Sequence, residues 1–329
     1  MIAEKDPTAP TKNQPKSTVQ SLLKFIFDQR ILLVLIILCV VIGYFIPSFL
    51  TTRNILNVMR QVSITGIVAV GITFVIITGG IDISVGSIVA LSGVVAAMSL
   101  KAGYGVAPSI LFALLAGVAA GLLNGTLISY GKIMPFVATL GTMSVIRGFT
   151  LIIVNGQAIW ELPEEFLNIG TGYALGIPIP VIITLLIYLG GQILLKRFTY
   201  GRYTLAVGGD EESARLSGVA VRRIKLLTYV LCGLLSAVAG VILAARLGSG
   251  QPSTGVGYEL IAIAAAVIGG NSLSGGRGTV FGTLIGALIL GVVGNALNLW
   301  GVAGFYQIVV SGAIVILAAL ADALRKQED

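Results

Sequence analysis

No histidine occurs among the 329 residues, and charged side chains make up only 11% of them. The first absence removes the imidazole-based zinc sets, general bases and nucleophile triads on which many hydrolases depend. The second is less than half of the roughly 25% charge of ordinary soluble domains. Cysteine is scarce as well: Cys39 and Cys232 both lie in apolar runs, which predicts buried, reduced thiols rather than a disulfide or a metal site. The phosphate-loop pattern Gly-x-x-x-x-Gly-Lys-Ser/Thr is missing, so the chain cannot itself be the ATPase of any machine it serves. No cofactor and no metal are expected, and no credible nucleophile and base can be paired for a membrane-embedded enzyme.

What is present is apolar length. The chain is 56% hydrophobic with mean hydropathy +0.99. At least seven runs of about 18 or more largely apolar residues can each cross a hydrocarbon core of roughly 30 Å as a helix. The pattern predicts an all-α polytopic membrane protein of about ten spans with broken or re-entrant segments. The spans fall near Ile31–Ile46, Ile55–Thr78, Val85–Leu100, Pro108–Tyr130, Pro135–Val154, Pro178–Leu195, Leu226–Ala245, Tyr258–Ile268, Val280–Leu297 and Phe305–Ala321. The 43 glycines suit closely packed helices, as in Gly117-x-x-x-Gly121 and Gly282-x-x-x-Gly286.

Residues 1–29 form a polar, lysine-rich arm, expected to be disordered and cytoplasmic rather than a cleaved signal. The membrane-spanning body is expected over 30–322, with a short cytoplasmic tail at 323–329. With the N-terminus inside, the cytoplasmic segments hold sixteen of the 21 basic residues, while outer segments keep only Arg53, Arg60, Lys101 and Arg246. That bias predicts both termini in the cytoplasm, and it accounts for the +7 net charge without nucleic acid.

Two hydrophilic loops interrupt the apolar pattern. The outer one, 155–177, carries Trp160, Glu161, Glu164 and Glu165, either a docking face or a solvated connector. The inner one, 196–225, holds a short helix with legible ends. Gly208-Gly209 precedes it, Asp210 can cap it, Glu211 and Glu212 suit the positive end of its dipole, Ser213, Ala214 and Arg215 follow, and Ser217-Gly218 closes it. So short a helix is marginal alone in water and is expected to rest on a bilayer surface or a cytoplasmic protein.

Polar chemistry also interrupts the apolar segments. Thr78-Gly79-Gly80-Ile81-Asp82-Ile83-Ser84-Val85-Gly86-Ser87 and Gly269-Gly270-Asn271-Ser272-Leu273-Ser274-Gly275-Gly276-Arg277-Gly278 match at several positions 190 residues apart. They are read either as broken helices lining a transport pathway or as tight cytoplasmic turns. Asp82 is either a functional intramembrane carboxylate or a cap for the helix beginning near Ser84. Arg147 and Glu259 pair or snorkel. Asn124, Asn155, Asn295 and Asn298 offer neutral hydrogen bonds of the kind a sugar needs, or else join helices. The pathway candidates are thus Thr78, Gly79, Gly80, Asp82, Ser84, Asn124, Gly269, Gly270, Asn271, Ser272, Ser274 and Asn295.

Three blocks carry a family likeness: Thr78 to Ser87, Tyr200-Gly201-Arg202 through Ala214-Arg215-Leu216-Ser217-Gly218, and Tyr258 to Gly270 followed by Ser272 to Gly278. With Asn54-Ile55-Leu56-Asn57, Lys132-Ile133-Met134-Pro135-Phe136 and Phe305-Tyr306-Gln307, the chain from about Arg30 onward resembles the ribose-type permeases of ABC importers. The resemblance implies a non-catalytic permease of the bacterial inner membrane. It also implies a second permease subunit, identical or paralogous, a cytoplasmic ABC ATPase, and a periplasmic or lipid-anchored sugar-binding protein. It makes the inner helix the coupling element for the ATPase and the outer loop the docking face. The substrate implied is a monosaccharide, ribose or a related pentose. From a different class, a proton-coupled secondary transporter would use Asp82 and Glu259 as carriers and need no ATPase.

Overall fold

The computed structural model describes residues 30–303 and single positions between 306 and 320. The expected arm 1–29 and tail 323–329 lie outside the described residues, as does most of the expected span Phe305–Ala321. The protein is an all-α polytopic membrane protein. Among the described residues, six helices are long and apolar enough to cross a membrane: α2 (Thr52–Ile77), α4 (Val106–Ser129), α5 (Pro135–Ile153), α7 (Ile179–Arg197), α10 (Val221–Leu247) and α12 (Val280–Leu299). Three shorter apolar helices accompany them: α1 (Arg30–Phe45), α3 (Val85–Lys101) and α11 (Tyr258–Ile268). The remaining elements are short: a 3-10 turn (Pro47–Leu50), α6 (Glu164–Thr171), α8 (Thr199–Gly209), α9 (Glu211–Leu216), and a hairpin of β1 (Tyr173–Ala174) and β2 (Ile177–Pro178).

Burial sorts the long helices by role. In α2, 83% of the most apolar window is enclosed, against 28% in α4 and α5, so α2 is the core helix and the others offer apolar faces to lipid. α10 lies beside α2 and also packs on α3 and α4, while α11, α12 and α7 cover α2 on its other sides. Small residues set the closest approaches. A Cβ on Gly117 would overlap Ala237 and the Gly233 carbonyl, and one on Gly121 would overlap the Tyr229 carbonyl, so α4 and α10 meet backbone to backbone. Gly282 and Gly286 bring α12 equally close to Gly269 and Ala265 of the α11 end.

α11 has only 11 residues, about 16 Å of helix, too little to span a membrane. The chain before it supplies the rest. α10 ends at Gly248, which is left-handed (φ 66°), and 249–257 runs without helix. Gly250 packs on Val94 and Ala97 of α3, whereas Gly255 packs on Gly86, eleven residues back toward the start of α3. This stretch therefore descends about 16 Å alongside α3 before α11 begins. The expected eighth span is a half-length helix completed by a non-helical strap of turns. The break is at 248–257, because the Gly-rich sequence can leave helical geometry while Arg147 of α5 and the Ile159 backbone satisfy part of its own.

Candidate functional site: a polar interior around broken helices

Gly79 and Gly80 close α2. The Gly79 N–H donates to the Ile76 carbonyl (2.8 Å), the Gly80 N–H to that of Val75 (3.0 Å), and Gly79 adopts φ 75°. At the end of α11 the same motif recurs one residue out of step: Gly270 takes φ 88° and donates to Val267, while the Asn271 N–H reaches Ala266. Both glycine pairs are thus helix C-caps in which the left-handed residue must lack a Cβ. The 190-residue match pairs Gly79 with Gly269, but in conformation Gly79 corresponds to Gly270.

Asp82 lies fully buried between these turns and α3. Its Oδ1 accepts from the Ser84 N–H (2.9 Å) and the Ser84 hydroxyl (2.6 Å), and Asn124 of α4 donates to Ser84 Oγ (2.7 Å). Thr142 of α5 donates in turn to Asn124 Oδ1. Asp82 Oδ2 has no hydrogen-bond partner, with Cys232 and Tyr229 of α10 as its neighbours. The chain Asp82–Ser84–Asn124–Thr142 ties α3, α4 and α5 together. A second buried chain sits behind the other turn. Asn271 Nδ2 donates to the Ala266 carbonyl and to Thr283 Oγ1 (2.8 Å), its Oδ1 accepts from the Thr279 N–H, and Thr283 shares a hydrogen bond with Thr73 of α2 (2.6 Å).

The two turns meet each other and α8. The Gly276 N–H donates to the Ile77 carbonyl at the end of α2 (2.9 Å). A Cβ on Gly208 would strike that carbonyl, and one on Gly275 would crowd the Gly208 carbonyl and the Gly79 N–H. Gly208 and Gly209, which precede the capped helix, form the last turn of α8, a second helix within the inner loop. The missing side chain of Gly208 lets α8 touch α2 directly. Next comes α9, with Asp210 Oδ1 accepting from the Ser213 N–H (2.8 Å), and Gly218 and Val219 donating back to Arg215 and Ala214 with Gly218 at φ 83°. Arg215 pairs with Glu212, and Lys225 at the start of α10 pairs with Glu211. Hydrogen bonding to the Arg215 guanidinium holds the Glu212 carboxyl below its usual range.

At the opposite end of the helices, Leu162 and Phe166 of the segment 155–177 bury against α3, α4 and α10, leaving Trp160, Glu161, Glu164 and Glu165 exposed. Glu161 pairs with Lys101. Ile159 and Gly250 exchange two backbone hydrogen bonds (2.9 Å each), which fasten this loop to the strap.

The family described as "Branched-chain amino acid transport system / permease component" matches residues 54–319. The ribose import permease protein of Bacillus subtilis is 49% identical over 88% of this chain and 90% of its own length. That of Haemophilus influenzae is 44% identical over 91% and 94%, and the L-arabinose ABC transporter permease protein of Azospirillum brasilense 42% over 91% and 88%. The chain belongs to this permease family. No solved structure matches it significantly. The permease is a multi-pass protein of the bacterial inner membrane.

Within the permease, the structure gathers Thr78, Gly79, Gly80, Gly269, Gly270, Asn271, Ser272 and Ser274 about the two turns, with Asp82, Ser84 and Asn124 one layer away. Ser272 and Ser274 share a hydrogen bond at the exposed rim of their turn. Asn295 stands apart. It exchanges amide hydrogen bonds with Asn54 (2.9 Å each) near the start of α2, so it joins helices at the other end of the molecule. Arg147, left outside the expected site set, donates from Nη1 to the Pro252 and Thr254 carbonyls of the strap (2.7 Å each). An arginine within an apolar span was its only sequence signal.

Proposed function

We propose that this permease is the membrane-spanning subunit of an ATP-driven importer and that its substrate is ribose. The observation that carries the reading is the 43–49% identity, over about nine-tenths of the chain, to proteins named ribose import permeases. Relatives named for L-arabinose follow at 41–42%, which makes another pentose the next candidate. In this reading ten spans place both termini in the cytoplasm, and α9 docks on a separate ABC ATPase. The exposed acidic loop at 160–165 receives a sugar-binding protein, and two permease subunits enclose the path. Junctions of backbone and neutral side chains suit such a role, because a permease changes access and performs no covalent chemistry. Proteoliposomes holding the permease with its ATPase and binding protein should take up ribose only with ATP. Ribose accumulation by vesicles of the permease alone under a proton gradient would overturn the proposal.

A further inference from the structure

We propose that Arg147 is a positioning residue for translocation and that the strap it holds, 248–257, is the gate between the outer surface and the interior. The inference rests on the transport reading. An intramembrane arginine is costly unless its charge is used, and here one nitrogen bridges two strap carbonyls that no helix satisfies. Glu259, whose Oε1 accepts from the Gly257 N–H (3.2 Å), supplies the balancing charge from the far end of the strap.

Three further features make the strap a gate rather than a fixed connector. It contains left-handed glycines at 248, 255 and 257 (φ 66°, 74° and 83°), where backbone rotation meets no Cβ. Its lower end lines a cavity of about 600 Å³, with Val256, Gly257 and Leu260 facing Gln61 and Thr65 of α2 and Leu290 of α12. A volume of that order suits a small-molecule pocket. Its upper end is fastened to the exposed acidic loop through the Ile159–Gly250 bridge, so displacement of that loop pulls on the strap. Arg147 lies between, on α5, and sets the closed position.

The test is labelling of Ser249→Cys, a strap position only 1% exposed in the closed form, by a membrane-impermeant thiol reagent, read against the same chain without that cysteine. Arg147→Met should raise the labelling rate roughly tenfold, since hydrogen bonds to a charged group hold the closed state. Arg147→Lys should raise it less, because an ammonium can still offer two donors. Gly255→Ala, whose Cβ would press on the Gly86 carbonyl, should open the strap without touching Arg147. It decides the matter if Arg147→Met fails to insert. Wild-type labelling rates in Arg147→Met, or in Gly255→Ala where that variant decides, would overturn the gate. Labelling needs neither sugar nor ATPase, so a wild-type system that moves no ribose would reject the transport reading while the strap is still measured.

Discussion

Asp82 accepts both of its hydrogen bonds from Ser84, two residues on, and so fixes the start of α3 as a turn-capping residue does. The Asn124 and Thr142 links carry that placement to α4 and α5. An amide keeps the accepting oxygen, so Asp82→Asn should cost about 1 kcal/mol or less in thermal unfolding and leave ribose uptake within a few-fold of wild type. Asp82→Leu removes the acceptor and strands the Ser84 N–H, at a cost of about 1–3 kcal/mol. A proton-coupled carrier would behave oppositely: Asp82→Asn would then stop uptake while the fold stayed intact.

At the level of elements, the adjacent glycines of α8 give a matched pair of tests. A Cβ at Gly208 would run into the Ile77 carbonyl, whereas one at Gly209 meets nothing within 4 Å. Gly208→Ala should therefore separate α8 from α2, with an overpacking cost of about 1–3 kcal/mol and loss of ATP-driven uptake. Gly209→Ala should be close to neutral in both, and equal effects of the two would show that the contact is not transmitting motion. Such junctions were only partly legible in the sequence. Apolar runs located nine helices to within about five residues, α11 among them with both ends matched, because lipid leaves hydrophobic length as the dominant signal. Asp210, Arg215 and Gly218 marked the ends of α9 because capping is local chemistry. α8 escaped because Gly201, Gly208 and Gly209 lower its helix propensity, and its stability comes from contacts with distant residues. The strap carries no distinguishing sequence signal, since only its packing along α3 shows that it descends into the interior. Arg147 was noticed without its partners for the same reason. For α9, Arg215→Glu should sharply reduce sugar-stimulated ATP hydrolysis while leaving membrane insertion unchanged. A cysteine at Ser213 should cross-link to the ATPase, and its failure to do so in an active complex would remove α9 from the contact. Since Arg215 depresses the Glu212 carboxyl, the pairing free energy is present above the ordinary glutamate pKa and is lost only as pH falls through the lower folded value. Coupling measured at pH 5 should therefore match that at pH 7 as far as this pair is concerned.

Across the whole molecule, the proposed function requires α6 and α9 to face opposite compartments, and one helix of membrane-crossing length, α7, lies between them. α7 runs from Ile179 to Arg197, 19 residues or about 28 Å, enough for one passage through the hydrocarbon core. Its last turn carries Lys196 and Arg197, and the segment beyond adds Arg202, Arg215, Arg222, Arg223 and Lys225, whereas the segment before it bears Glu161, Glu164 and Glu165. Basic residues are retained on the cytoplasmic side, so the acidic end should lie outside and the basic end inside. The Gly79, Gly208 and Gly276 junction then belongs to the cytoplasmic end, and the Asn54–Asn295 pair and the Ile159–Gly250 bridge to the outer end. In intact cells, an impermeant maleimide should label Glu164→Cys readily and Ser213→Cys only after the membrane is opened, measured against the Cys39 and Cys232 background. Labelling of both positions from outside would place α9 out of reach of any cytoplasmic ATPase, and with it would fall the ATP-driven mechanism, whatever sugar the permease carries.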